Sequence, residues 1–148
     1  MTGLGGPTDH NPAVYRELRD VLRRQPEITA TRFEPDAVQQ RYLVASVAPA
    51  RVDPPTGSES PRIEVRWQVG TPPRFRIDYT DPNTGFHCGW HRDNDHPDLG
   101  ETHFQHTRPD DDTPAHEPAD LAATAPPKLL WACLDELFTI RLPQLTDE

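Results

Sequence analysis

The sequence predicts an α+β fold, in which a single antiparallel sheet of five or six strands carries an N-terminal and a C-terminal helix on one face. Two observations predict it. Between residues 62 and 91, apolar and polar residues alternate without a break, which is typical of strands with one buried and one solvent-facing side. This stretch lies between two segments whose apolar residues recur at helical spacing, so both helices are expected to cover the apolar side of the sheet.

The first element is a helix at residues 12–25. It follows a Gly/Pro-rich tail, residues 1–10, which we expect to be disordered. Asn11 and Pro12 supply a helix N-cap and a proline in the first turn, and Pro26 marks the end. Its apolar face holds Val14, Leu18, Val21 and Leu22.

A meander of strands comes next, because the hydrophobic period changes to two after the helix. A Pro/Ser/Gly loop at 49–61 separates the first two strands from the others, and short turns join the central three. The predicted strands span 27–34, 38–48, 62–69, 74–79 and 86–91, and residues 102–107 are the candidate sixth strand.

The last part of the chain combines a connector and a helix. Residues 108–125 are acidic and proline-rich, which predicts a loose connector. Pro126 and Pro127 then start a helix that reaches about residue 141 and is closed by Pro143. Its apolar stripe consists of Leu130, Cys133, Leu134, Leu137 and Phe138. We therefore expect residues 11–148 to form one α+β domain.

Composition excludes several classes of protein. No apolar run approaches the roughly 20 residues of a membrane span, and the start of the chain has no basic and apolar signal regions, so neither membrane association nor secretion is expected. Two cysteines do not make a disulfide scaffold, which favours a reducing cytoplasm. The net charge of −9, with one lysine among 15 basic residues, is typical of a salt-loving microbe such as a halophilic archaeon.

Histidines form the most informative cluster. Six of the seven lie between residues 87 and 116, interleaved with polar and charged residues. Three chemistries are open to them: metal ligation, acid–base chemistry near neutral pH, and hydrogen bonding that holds a long loop together. The candidate catalytic residues are His91, Asp93, His96, His103 and His106.

A metal-free site, without any cofactor, is the preferred interpretation. His87 and His91 are four residues apart on one strand, about 13 Å at strand rise, which is too far to share one ion. His103 and His106 are three residues apart and would face opposite sides of a regular strand. Cys88 and Cys133 are expected to point into the core and to act neither as ligands nor as nucleophiles.

Arginines mark the solvent-facing side of the predicted meander. Because the apolar residues alternate with them, they should all project to one side of the sheet and form a basic stripe on an acidic protein. Such a stripe suits RNA or an acidic protein, although exposed pairs with Glu64 and Asp78 would also explain it. The candidate substrate-binding residues are Arg62, Arg66, Arg74, Arg76, His87 and Arg92.

The order of these features resembles the TumE-like toxins, the toxin halves of type II toxin–antitoxin pairs. The segment Trp90-His91-Arg92-Asp93-Asn94-Asp95-His96-Pro97 is similar to the family pattern R-W-D-N-x-P-H-H-P, and Thr102-His103-Phe104-Gln105-His106 is similar to F-P-H-H-x-H. Arg74–Tyr79 falls where the family has Y-x-Y-H-W-Q. Here two residues are missing between Asn94 and His96, the paired histidine is single, and the Y-H-W-Q histidine is replaced near Asp78 or Tyr79.

The resemblance implies a toxin that acts on RNA and is held by an antitoxin protein. His91, His96, His103 and His106 would then supply acid–base or phosphate contacts. Arg76, Arg92 and Asp93 would position the RNA backbone and orient a histidine. The alternative is a non-catalytic module whose arginine stripe binds a partner protein and whose histidine-rich loop is structural or held by a metal.

Overall fold

In the computed structural model, two helical regions flank a run of strands. The structure describes residues 12–34, 42–68, 74–92, 102–107, 115–119, 121 and 125–146. A 3-10 turn, Pro49–Arg51, follows the second strand, and a π-helical turn, Leu137–Arg141, joins the last two helices. The elements are α1 (Pro12–Arg23), β1 (Ile28–Glu34), β2 (Tyr42–Val47), β3 (Arg62–Gln68), β4 (Arg74–Thr80), β5 (His87–Arg92), β6 (His103–Thr107), β7 (Ala115–Pro118), α2 (Pro126–Glu136) and α3 (Leu142–Thr146).

The strands form one open antiparallel sheet in the order β1-β2-β3-β4-β5-β6-β7. Every strand therefore pairs with its neighbour in the chain, which confirms the predicted meander and the α+β class. The sheet has seven strands where five or six were predicted.

The additional strand, β7, lies inside the segment that was predicted to be a loose connector. It pairs with β6 from His106 opposite Ala115 to His103 opposite Pro118. Pro114 precedes it and Pro118 is its last residue, and proline is normally a sign against a strand. An edge strand tolerates proline because one side of its backbone needs no hydrogen-bond partner. The proline-rich composition of this segment therefore did not predict β7.

The C-terminal helical region continues past Pro143, where the sequence predicted its end. The preceding turn opens from the α to the π pattern, with the Leu142 N–H donating to the Leu137 carbonyl. A proline inside a helix cannot donate to the carbonyl four residues before it, and the widened turn lets the chain continue into α3. None of the helices in the described ranges combines the length and apolarity needed to cross a bilayer.

The core lies between the apolar face of the sheet and the helices α1 and α2. Aromatic residues fill its centre: Trp67 stacks on Phe75 with ring centroids 5.2 Å apart, and Trp90 packs against Phe104 at 4.9 Å. The helices contribute a stripe of buried residues from each end of the chain: Tyr15, Leu18, Val21 and Leu22 from α1, and Leu129, Leu130, Cys133 and Leu134 from α2. The described helices thus pack on one side of the sheet, and most of the polar strand residues lie on the other.

The turn that joins β4 to β5 is anchored to the long loop before β3. The Asn83 side chain accepts a hydrogen bond from the Glu59 N–H at 2.9 Å and donates one to the Glu59 carbonyl at 2.8 Å. The buried Asp81 carboxylate in turn accepts the Asn83 N–H at 2.8 Å. These bonds hold the β4–β5 turn against the loop that leads into β3.

Tyr15 connects α1 to the end of β3. Its hydroxyl accepts a hydrogen bond from the Trp67 N–H at 2.9 Å and lies 3.3 Å from the Trp67 carbonyl, to which it donates. Trp67 lies beyond Leu43–Val65, the last residue pair at that end of the β2–β3 ladder. The tyrosine therefore satisfies backbone groups that the neighbouring strand leaves open.

We expect Tyr15→Phe to lower the free energy of unfolding by about 1.5 kcal/mol, because a buried N–H and carbonyl lose their partner. Urea unfolding followed by tryptophan fluorescence measures the change. Tyr79→Phe is the matched control, since within the described residues the buried Tyr79 hydroxyl has no hydrogen-bond partner. Its removal should be neutral or stabilising. Equal losses in the two variants would contradict the role assigned to Tyr15.

Candidate functional site

The sheet face opposite the helices, which we call the polar face, carries the chemically active side chains. Cross-strand register places three rows of residues on it, because directly paired residues of antiparallel strands share a face. The rows across β3, β4, β5 and β6 are Arg62-Thr80-His87-Thr107, Glu64-Asp78-Gly89-Gln105 and Arg66-Arg76-His91-His103. Gln68 and Arg74 form a further pair on β3 and β4.

Asp78 is the centre of the polar face. Its Oδ1 accepts a hydrogen bond from His91 Nε2 at 2.7 Å and lies 3.4 Å from His87 Nε2. Its Oδ2 lies 3.7 Å from Arg76 Nε. The His91 side chain is only 2% exposed, whereas that of His87 is 31% exposed. One carboxylate therefore holds a buried histidine and an accessible one, with an arginine on its other oxygen.

The surroundings of Asp78 stabilise its charged form. Burial by itself would raise the pKa of this carboxyl, but hydrogen bonds from His87 and His91 and the charges of the two rings outweigh it. The net result is a pKa well below the usual range of an aspartate. Asp78 is therefore ionised throughout the physiological range and can act as a hydrogen-bond acceptor for both histidines.

Gly89 makes this arrangement possible. It lies directly opposite Asp78 in the β4–β5 register, between His87 and His91 in the chain. A Cβ atom at this position would lie 2.3 Å from Asp78 Oδ1 and 2.7 Å from the Ile77 carbonyl oxygen. Only glycine, which has no Cβ atom, leaves room for the Asp78 carboxylate at this position. Gly89 was not among the predicted site residues, although a glycine inside a regular strand pattern is a sign of close approach by another group.

Two further histidines continue from His91 towards the edge of the sheet. The ring of His103, which is also buried, packs edge-on against His91 with centroids 5.3 Å apart. His116 on β7 follows, with its ring 5.7 Å from that of His103, and its Nε2 donates to Gln105 Oε1 at 3.1 Å. The buried rings of His91 and His103 support the site and are not accessible to a large substrate.

His106 does not join this group. Because β6 is a regular strand, His106 faces the helix side, opposite Cys88 and with its ring 5.7 Å from that of Phe104. Arg92 is likewise in the register of Phe75, on the apolar face. The remaining predicted catalytic residues, Asp93 and His96, lie outside the described residues.

The arginines of the polar face differ in their partners. Arg62 approaches Glu64 at 4.0 Å, and Arg76 approaches Asp78. Within the described part of the chain, Arg66 and Arg74 pair with no carboxylate; Arg66 instead places its guanidinium 4.0 Å from the centroid of the Tyr42 ring. All four are exposed. Among the described residues, no carboxylate neutralises the charge of Arg66 and Arg74 at this end of the β3–β4 hairpin.

Among the residues that the structure describes, no group of three or more His, Cys, Asp or Glu side chains is placed so as to hold a metal ion. His91 directs its Nε2 at Asp78, and His106 is on the other face of the sheet from His103. His87 and His91 are directed at Asp78, and His116 is directed at Gln105.

Both cysteines are buried free thiols on the core side, and burial raises the pKa of each. We expect Cys88 and Cys133 to react with a thiol reagent at least about a hundredfold more slowly in the folded protein than in urea, because both burial and the low thiolate fraction oppose reaction. A time course of absorbance with an aromatic disulfide reagent measures the rates. Rapid labelling of either thiol in native buffer would contradict the buried positions.

Comparison of the chain with protein-family models, with curated proteins and with solved structures finds no significant match. The chemistry of the polar face is therefore the basis for the function considered next.

Proposed function

We propose that this protein binds RNA on the polar face and cleaves its backbone there, as the toxin of a toxin–antitoxin pair. The observation that carries the proposal is the accessible His87 ring beside the Asp78 carboxylate, on the same face as four exposed arginines. An ionised acid behind a histidine orients the ring by accepting a hydrogen bond from one of its nitrogens. Arginine guanidinium groups suit the phosphate oxygens.

In the proposed reaction, His87 is the catalytic base. With Nε2 directed at Asp78, its Nδ1 takes the proton of an RNA 2′-hydroxyl. The 2′-oxygen then forms a bond to the adjacent phosphorus, the bond from phosphorus to the 5′-oxygen breaks, and the leaving oxygen takes a proton from water. Arg76, whose side chain is 49% exposed, stabilises the charge on the phosphate oxygens. The products are a 2′,3′-cyclic phosphate and a free 5′-hydroxyl.

Asp78 and His91 are positioning residues in this proposal. Asp78 holds the His87 ring, and His91 holds the carboxylate through its 2.7 Å hydrogen bond. His103 packs on His91 from the other side. This distribution of roles follows from burial, since a side chain that is almost inaccessible cannot contact a polynucleotide.

Induction of the gene in a permissive host tests the biological part of the proposal. The wild-type protein should slow growth and degrade total RNA, and co-expression of its antitoxin should restore growth. His87→Ala should remove the toxicity. The matched control is Thr80→Ala, which alters the cross-strand neighbour of His87 without removing an ionisable ring and should stay toxic. Normal growth with intact RNA, while folded wild-type protein accumulates, would contradict the proposal.

A purified-protein assay tests the chemistry. RNA oligonucleotides should be cut to products with 2′,3′-cyclic phosphate ends, and a 2′-deoxy substitution at the cleaved position should block the reaction. His87→Ala should lower the rate at least about a hundredfold, the usual lower contribution of a positioned base. Cleavage of the 2′-deoxy oligonucleotide at the same position would overturn the proposed mechanism.

The second candidate function is a non-catalytic protein-binding module. The observation that favours it is the near-complete burial of His91 and His103, which is typical of structural histidines. In this case the exposed arginines would bind an acidic polypeptide. Binding of fluorescent polyglutamate that is not displaced by RNA, together with intact RNA in the cleavage assay, would favour this function over the first.

A further inference from the structure

We infer that Tyr42, Arg66 and Arg76 form a nucleotide subsite, which binds an unpaired base and the phosphate next to it. The inference rests on the proposed function and specifies its substrate class: the RNA on the polar face is single-stranded. Three features of the structure support it in turn: an opposed arginine pair, a stacked guanidinium and the order of these groups across the sheet.

The first feature is the direct opposition of Arg66 and Arg76 on neighbouring strands. Like charges at directly paired positions of an antiparallel sheet repel each other and destabilise it. Arg76 is partly compensated by Asp78, but Arg66 has no carboxylate partner in the described ranges. A pair of guanidinium groups in which one has no carboxylate partner among the described residues suits an anion with several oxygen atoms, and a phosphodiester is such an anion.

The second feature is the position of the Arg66 guanidinium over the ring of Tyr42, 4.0 Å from its centroid. The aromatic ring restricts the long arginine side chain in advance, so less conformational entropy is lost when a ligand binds. Arg66 is exposed while Tyr42 is half-buried. The outer side of the guanidinium plane is therefore open to a second planar group, and nucleobases stack on arginine in this way.

The third feature is the order of the groups. Tyr42, Arg66 and Arg76 belong to β2, β3 and β4, three consecutive strands about 4.8 Å apart, so the subsite spans about 10 Å. A base on Arg66 would place its phosphate between the two arginines, on the side of Asp78 and His87. A base can stack in this way only when it is unpaired, because in an A-form duplex the bases are stacked within the helix. The geometry therefore selects single strands over duplexes.

Fluorescence anisotropy with uncleavable 2′-O-methyl RNA of about 12 nucleotides, within the usual site sizes of single-strand-binding surfaces, tests the inference. The wild-type protein should bind the single strand at least about tenfold more tightly than the matching duplex. Arg66→Lys keeps the charge but loses the planar group, and it should weaken single-strand binding about tenfold while changing the binding of an abasic strand little. Tyr42→Ala should behave like Arg66→Lys, and Tyr42→Phe should retain affinity.

Arg32→Lys on β1 is the matched control on the same face, because its exposed guanidinium pairs with Glu34 and stacks on no aromatic ring among the described residues; its affinity should equal that of the wild type. Equal binding of single strand and duplex, or an unchanged affinity of Arg66→Lys, would overturn the inference while leaving cleavage at His87 intact. Arg66-dependent binding without any cleavage would overturn the proposed reaction and keep the subsite. Binding of polyglutamate but not of RNA would overturn both.

Discussion

Replacing Gly89 with alanine is expected to lower the free energy of unfolding by about 3 kcal/mol, through overpacking and the loss of buried hydrogen bonds. The new Cβ would lie 2.3 Å from Asp78 Oδ1 and 2.7 Å from the Ile77 carbonyl. The carboxylate can rotate away only by leaving His87 and His91, and the carbonyl belongs to the backbone of the central strand β4. Either response disrupts the contacts between β4 and β5.

Chemical unfolding at neutral pH measures this loss. Thr80→Ala, on the same face and two residues from Asp78, serves as the control and should change the stability by less than about 1 kcal/mol. Because part of the clash is with the Asp78 side chain, Gly89→Ala should be less damaging in an Asp78→Gly background, where the Ile77 carbonyl and the Cα of residue 78 remain in the way. Strict additivity of the two substitutions would show that Gly89 and Asp78 do not depend on each other.

Asp78→Asn is expected to lower the free energy of unfolding by about 2.5 kcal/mol at neutral pH, since the carboxylate accepts charge-assisted hydrogen bonds in a mostly buried position. The matched control is Glu64→Gln. Glu64 lies directly opposite Asp78 on β3 but pairs with the exposed Arg62 at 4.0 Å. An exposed pair of this kind contributes little, so the control should lose less than about 1 kcal/mol.

The effect of Asp78→Asn should depend on pH in a definite direction. The pKa of Asp78 is lower in the folded protein than the usual value of about 4 in an unfolded chain. An acid of this kind stabilises the fold fully above its unfolded pKa, and the stabilisation is lost as the pH falls towards its folded pKa. The stability difference between wild type and variant should therefore shrink as the pH falls from about 4 towards the folded pKa of Asp78. A difference that grows on acidification below about pH 4 would contradict the assigned role of Asp78.

The regular parts of the fold were predictable because strand periodicity and helix periodicity are local properties of sequence. Alternation from residue 62 to residue 91 predicted β3, β4 and β5 with their faces, and helical spacing predicted α1 and α2. The structure differs from the predicted elements at β7 and at α3, and proline is involved in both places. β7 is held by pairing with β6, and α3 continues because the preceding turn widens, so in each case tertiary context or backbone adjustment overrides local preference.

The candidate site was less predictable, because it depends on which strand lies beside which. The histidine cluster predicted a site at β5 and β6. The spacing of the histidines along the sequence does not reveal that the side chains of His91 and His103 are buried. The role of Asp78 follows from the β4–β5 register, which places it opposite Gly89. A one-residue change of register would move every one of these side chains to the other face, and no local pattern identifies the partner of a given residue.

The contact between α1 and α2 has a consequence for how the chain folds. Each strand pairs with the strand next to it in sequence, so the sheet can form through short loop closures, which are fast. The two helices, however, come from opposite ends of the meander, and their meeting closes a loop of more than a hundred residues. We therefore expect docking of the helices to be the late event in folding. A circular permutant that joins the two helical ends and opens the chain in the loop at 49–61 would exchange this closure for an equally long one between β2 and β3, so it should fold no faster than the natural order of elements.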